Sequence, residues 1–180
     1  MLPLKEATSV KHKQAETMPF NSKMIKGLLS KEEYLLYLNQ QHQIYQTLER
    51  IGLPDSGLKR TEKVQADIDE LRSQGHHDET ILNSTRDYVE YLGSLSYENA
   101  LPHIYLNYMA VMFGGQMMKK VVPSTGRMYD FDNMKESIQA IRQVQKDEWA
   151  DEVNKGFDFN ILIFDELEAE SINGQLYSVV

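Results

Sequence analysis

The chain has 180 residues, a formal net charge of −8, a pI near 5.1 and no cysteine. That length suits one domain, able to bury roughly 70% of its unfolded surface without disulfides. Missing thiols exclude cysteine nucleophiles, thiolate metal sites and iron–sulfur clusters and fit a reducing compartment, and the acidic balance argues against nucleic-acid binding, which calls for a basic stripe.

The opening residues, MLPLKEATSVKHK, become charged at once and lack the apolar core of a signal peptide. No run approaches the roughly 20 apolar residues of a membrane span. A cytoplasmic protein with no membrane partner is expected. Leu4–Met18 reads as the first helix, with Leu4, Ala7, Val10 or Lys11, and Ala15 at near-helical intervals. Pro19, Asn21 and Ser22 interrupt it, and a short helix is expected over Ser22–Leu29. Ser30 and Glu33 have capping-box spacing and open a long helix. Tyr34, Leu38, Gln41, Tyr45 and Leu48 mark its inner face; Gly52, Pro54 and Gly57 end it.

Leu58–Ser73 is amphipathic, with Val64, Ile68 and Leu71 on one stripe. A turn at Gly75–Asp78 leads into a helix over Glu79–Leu92. After a break at Gly93–Ser96, Pro102 suits the first turn of a helix that runs to Val122 and stops at Pro123. Asp132 or Asn133 caps a helix reaching about Lys155, and Gly156 ends or kinks it. A last helix is expected over Phe157–Glu170, so that residues 1–170 form the domain and 171–180 a loose, polar tail. The sum is one all-α bundle of about eight helices.

A bundle invites a search for metal sites. The chain contains no Glu-x-x-His pair of the di-iron bundles, no His-Glu-x-x-His, no phosphate loop and no Gly-x-Gly-x-x-Gly. His76 and His77 fall in a turn and read as surface residues. His42 and His103 lack a ligand partner at a helpful spacing and read as surface or packing histidines. His12 differs, because Thr8, His12 and Glu16 stack on one helical face. A ligating imidazole usually offers its second N–H to an acceptor, and Glu16 is placed to be one. Spacing alone favours an exposed histidine in a charged helix, with Glu16 as its helix-pair partner.

The stretch YMAVMFGGQMMKK, Tyr108–Lys120, is apolar enough for a buried helix yet holds Gly114 and Gly115. Each costs a helix interior about 1 kcal/mol relative to alanine. Asn107, Ala110 or Val111, Gly114 and Met118 share one face. Close helix packing accounts for one small residue there; a flat ligand lying across a glycine kink accounts for both.

Three segments carry a family resemblance. LKEATSVKHKQAE at Leu4–Glu16 resembles the first helix of the biliverdin-producing heme oxygenases. YMAVMFGGQMMKKV resembles their distal helix, and FDFNILIFDELEAE at Phe157–Glu170 their closing helix, in family order and with matching spacing. The resemblance implies heme b, with its iron, sandwiched between the first helix and a glycine-kinked distal helix. It makes His12 the iron ligand and Glu16 the carboxylate beside it. Gly114 and Gly115 then allow close approach to the heme face, and Lys5, Tyr105 and Arg142 meet the propionates. Phe157, Asn160 and Phe164 line the heme edge. The implied activity is oxidative opening of heme to biliverdin with release of CO and iron. O2 and electrons from a ferredoxin or other reductase drive it, and Lys11, Lys13, Lys119 and Lys120 are candidates for docking that donor.

The resemblance has gaps. Where the family reads Gly-Asp-Leu-Ser-Gly-Gly-Gln, this chain has Ala110, Val111, Met112, Phe113, Gly114, Gly115 and Gln116. Val111 aligns with the aspartate that orders the distal water and Asn107 with a usually basic position; Asn107, a backbone carbonyl freed at the glycine kink or a side chain from another helix can hold that water instead. Ile138 occupies a basic propionate-side position, for which Lys135 or Lys146 on the Arg142 face can substitute. The alternative activity is therefore a relative that senses, stores or delivers heme without degrading it.

Overall fold

A computed structural model describes residues 1–177, with side chains described through Gly174. Its helices are α1 (Leu4–Ala7), α2 (Ser9–Glu16), α3 (Pro19–Ile25), α4 (Lys31–Ile51), α5 (Thr61–Ser73), α6 (Asn83–Gly93), α7 (Tyr97–Phe113), α8 (Gly115–Met118), α9 (Met134–Val144) and α10 (Ala150–Tyr177). Among the described residues there is no strand.

The local chemistry explains where the helices begin and break. Ser30 Oγ accepts from Glu33 N at 3.1 Å while Glu33 Oε2 accepts from Ser30 N at 2.8 Å, so the capping box at α4 is complete. The first expected helix divides at Thr8, whose Oγ1 donates to Leu4 O at 2.9 Å. Such bonding to the i−4 carbonyl bends helices. The expected distal helix divides at Gly114. It also starts earlier than Pro102, at Tyr97, with Ser96 Oγ accepting from Asn99 N at 3.3 Å. Pro102 therefore lies in the second turn and leaves the Glu98 carbonyl without its helical partner.

Other boundaries move as well, among them the start expected at Glu79, which falls at Asn83. The helix expected to reach Lys155 ends at Val144, and α10 begins at Ala150 after a 3₁₀ turn over Asp147–Trp149. Gly156 neither ends nor kinks a helix. It lies inside α10, where an added Cβ would meet Leu106 Cδ2 at 2.6 Å and His103 Nδ1 at 3.0 Å. Its role is to let α10 and α7 touch. At the other end α10 continues past Glu170 through residues 171–177, with Ser171 buried; the last residues of the expected tail, 178–180, lie outside the described residues.

Helix α4 packs on α5 and α6, and α10 packs on α7, α2, α3 and α6. The main core runs through Phe20, Tyr34, Leu38, Tyr45, Leu48, Tyr88 and Tyr108. A smaller cluster of Leu4, Ala15, Leu106, Trp149, Val153 and Phe157 sits where α1, α2, α7 and α10 meet. That junction carries the site.

Candidate ligand-binding site

Three long-range bonds hold the first helices against the start of α10. Leu4 N donates to Asp147 Oδ1 at 2.8 Å, Asn154 Nδ2 to Ala7 O at 3.3 Å, and Lys11 Nζ to Asp158 Oδ1 at 2.5 Å. They fix the face of α2 that carries His12. The His12 side chain is 60% exposed, and its Nδ1 lies 3.9 Å from Glu16 Oε2, too long for a direct hydrogen bond. Its ring stands edge-on to Phe157, with centroids 5.8 Å apart. The imidazole is thus steered by packing and keeps its ring nitrogens available.

His12 lines two adjoining cavities, of about 280 and 480 Å³. Leu106, Ala110 and Phe157 also border both, so the two form one slot divided by these side chains. The smaller chamber takes in Glu16, Asn107, Val111, Gly114, Asn160 and Phe164, and reaches inward to Tyr37, Tyr45 and Tyr129. The larger takes in Lys5, Tyr105 and Arg142. Lys135 and Lys146 do not line it; Gln145 does. Because α9 ends at Val144, Lys146 is not carried on the Arg142 face. Phe113 (61% exposed) and Met117 (63%) stand uncovered at the walls, an apolar edge open to water.

The paired glycines divide their work. Gly114 lines the smaller chamber, and an added Cβ there would meet only the Ala110 carbonyl at 3.3 Å, the ordinary helical neighbour. Gly115 does not line the slot. Its added Cβ would stand 2.7 Å from Tyr129 Cδ1, so its missing side chain lets that ring pack beneath the helix. The expectation that both glycines meet a flat ligand is met in position by Gly114 alone.

Behind α7 lies a polar group that spacing did not single out. Of the two readings given for His103, surface or packing, the structure takes the second, since the residue is fully buried. Its Nδ1 is 2.8 Å from Tyr88 Oη and its Nε2 is 2.9 Å from Glu152 Oε1. Asn107 Nδ2 donates to Tyr88 Oη at 3.0 Å and to His103 O at 2.8 Å. Tyr91 O–H donates to Glu152. The only sequence trace of this network is the i,i+4 spacing of His103 and Asn107; Tyr88 and Glu152 come from other helices.

Two expected docking lysines are committed elsewhere, Lys11 to Asp158 and Lys119 to Asp130. Lys13 and Lys120 pair with no carboxylate among the described residues. No group of three His, Asp or Glu able to hold a metal gathers among the described residues. No helix there is long and apolar enough to cross a membrane.

Among the described residues an all-helical fold thus carries an open apolar slot, with an imidazole on one wall, a glycine-thinned helix on another and two cations at one end. The heme oxygenase family model matches residues 2–155, and the chain belongs to that family. It is 28% identical to heme oxygenase 2 of Macaca fascicularis over 92% of its own length, and spans 64% of that relative. Against heme oxygenase 1 of Synechocystis sp. the identity is 22%, covering 94% of this chain and 85% of that one. The fold matches the heme complex of heme oxygenase-1 from Synechocystis with a TM-score of 0.78 at 22% identity, covering 98% and 95% of the two chains. The heme oxygenase of Leptospira interrogans matches with 0.77 at 24% identity, covering 91% and 97%.

Proposed function

We propose that this chain binds heme in the slot and opens it oxidatively to biliverdin, CO and iron, with O2 and with electrons from a ferredoxin or other reductase. The observation that carries the reading is the convergence of His12, Gly114 and the Lys5–Arg142 pair on one apolar slot. The residues fit the group. A lone imidazole suits an iron whose other ligands are porphyrin nitrogens, and the uncovered walls suit the porphyrin plane. Lys5 and Arg142 supply charge-assisted donors for two carboxylates, each bond worth about 1.5–3 kcal/mol when well formed. When bound, heme supplies both the iron chemistry and the ring that is oxidised.

The chain's own residues bind and orient. His12 would ligate the iron, and Glu16, 3.9 Å from Nδ1, would reach the ring through a water. Tyr105 adds a hydroxyl beside Arg142, and burial pushes that phenol up while Arg142 partly offsets it, so it stays a donor at neutral pH. Ala110 and Gly114 keep α7 low under the ligand. Phe157 and Phe164 would supply apolar wall at the edge, and Asn160 and Asn107 are among the polar groups of the smaller chamber. Val111, only 5% exposed, brings no hydrogen bond to that chamber.

Val111 is also the observation that favours a second reading, a protein that senses, stores or delivers heme unchanged. A titration with hemin tests the slot itself: a saturable, stoichiometric Soret band that His12→Ala alters is expected, and its absence removes both readings. Adding ferredoxin, its reductase and catalase under air then separates them. Growth of a biliverdin spectrum supports turnover; an intact heme spectrum supports the second reading.

A further inference from the structure

The network behind α7 ends at the slot, and its polarity can be read atom by atom. The His103 carbonyl can only accept, so the atom of Asn107 lying 2.8 Å from it is the amide nitrogen. The second amide hydrogen goes to Tyr88 Oη at 3.0 Å. Both hydrogens are used, and Asn107 Oδ1 is left as the group available to the smaller chamber, which Asn107 lines.

Glu152 sets the direction of the rest. Burial opposes its charge, but hydrogen bonds from Tyr91 and His103 hold its carboxyl below the usual range. Burial keeps His103 low as well, against the partial opposition of Glu152, and burial pushes the Tyr88 phenol up. The groups facing His103 are Tyr88 and Tyr91 from α6, Asn107 on its own helix, and Glu152 and Lys155 from α10. An ionised Glu152 accepts from Nε2–H, so Nδ1 is the acceptor and Tyr88 O–H donates to it. Tyr88 oxygen is then open to the Asn107 amide. With the opposite tautomer, Nδ1–H would occupy Tyr88 oxygen and turn its hydrogen toward the Asn107 N–H, donor against donor.

We infer that Glu152, His103 and Tyr88 are positioning residues that lock Asn107 with its amide oxygen toward the slot, where it holds by a hydrogen bond the water that Val111 cannot. This rests on the proposed heme reaction for its use, but the lock is a property of the ligand-free chain. Gly156 belongs to the device too, since only a missing Cβ lets α10 lie against His103.

Nitrogen-15 NMR of the histidine-labelled, ligand-free chain reads the polarity. At neutral pH, His103 is expected protonated on Nε2 and bare on Nδ1; an Nδ1–H form overturns the proposal. In Tyr88→Phe and Glu152→Leu the Asn107 side-chain amide hydrogens are expected to exchange with water at least about 5- to 10-fold faster, the worth of one hydrogen bond. Unchanged exchange in both overturns it. With heme, both variants are expected to keep wild-type affinity and lose about 5- to 10-fold in turnover. Turnover equal to wild type overturns the proposal, whereas a wild-type chain that takes no heme defeats the functional reading and leaves the NMR to decide the lock.

Discussion

A methyl group added to Gly115 meets the Tyr129 ring at 2.7 Å, whereas one added to Gly114 meets only the Ala110 carbonyl at 3.3 Å. Neighbouring glycines thus answer to different constraints, and substitution separates them. Gly115→Ala is expected to cost about 1–3 kcal/mol through overpacking, read by urea unfolding. Gly114→Ala is expected to hold or raise stability by up to about 1 kcal/mol, because helix propensity improves. The same change puts a methyl in the slot and is expected to weaken heme binding in a Soret titration. His12→Ala makes the reverse case. Its side chain is 60% exposed and has no short partner, so unfolding stability should shift by no more than about 0.5 kcal/mol while the heme spectrum changes. A residue whose loss leaves the fold intact but removes the ligand is placed for binding.

At the scale of helices, the signals that are local chemistry were legible in the sequence. Ser30 and Glu33 announce α4 because a capping box needs only four residues and no partner. Ser30→Ala is expected to cost about 1 kcal/mol, within 0.5–2, in thermal unfolding. Signals that depend on a distant partner were not legible. The break at Thr8 is the local exception, a side chain bonding its own helix where the sequence equally allows it to face solvent. Gly156 looks like a terminator until α7 is set beside it, with Leu106 and His103 filling the space its side chain would take. Gly156→Ala is therefore expected to destabilise by about 1–3 kcal/mol, far from the small gain a glycine-to-alanine change gives in an open helix. The partners of His103 were hidden for the same reason: Tyr88 and Glu152 reach it from α6 and α10.

For the molecule as a whole, buried polar groups link stability to pH. Burial holds His103 and His42 below the ordinary histidine value, although nearby carboxylates oppose it. The unfolded chain then binds more protons than the folded one, so their contribution is complete above pH of about 6.5 and is lost as pH falls below it. Glu33, Glu70, Glu152 and Glu166 also sit below their ordinary values: burial opposes the charge, but hydrogen bonds outweigh it. Their contribution is present above the ordinary glutamate value and fades as pH falls through the folded one. Asp67 works the other way, because burial raises it despite bonds from Met128 and Arg127. The melting temperature should accordingly fall from pH 7.5 to 5.5 before the carboxylates titrate, and by less in His103→Gln.

The slot likewise belongs to the whole molecule. The heme oxygenase resemblance named His12, Gly114, Lys5 and Arg142 among its site residues, and the fold brings these four to one junction of α1, α2, α7, α9 and α10. The most direct measurement is a single turnover of the stoichiometric heme complex under air, with ferredoxin, reductase and catalase, following pigment and gas together. The account predicts that the Soret band decays as biliverdin and CO appear in amounts equal to the heme lost. A reduced complex that keeps its heme, or bleaches without releasing CO, contradicts it.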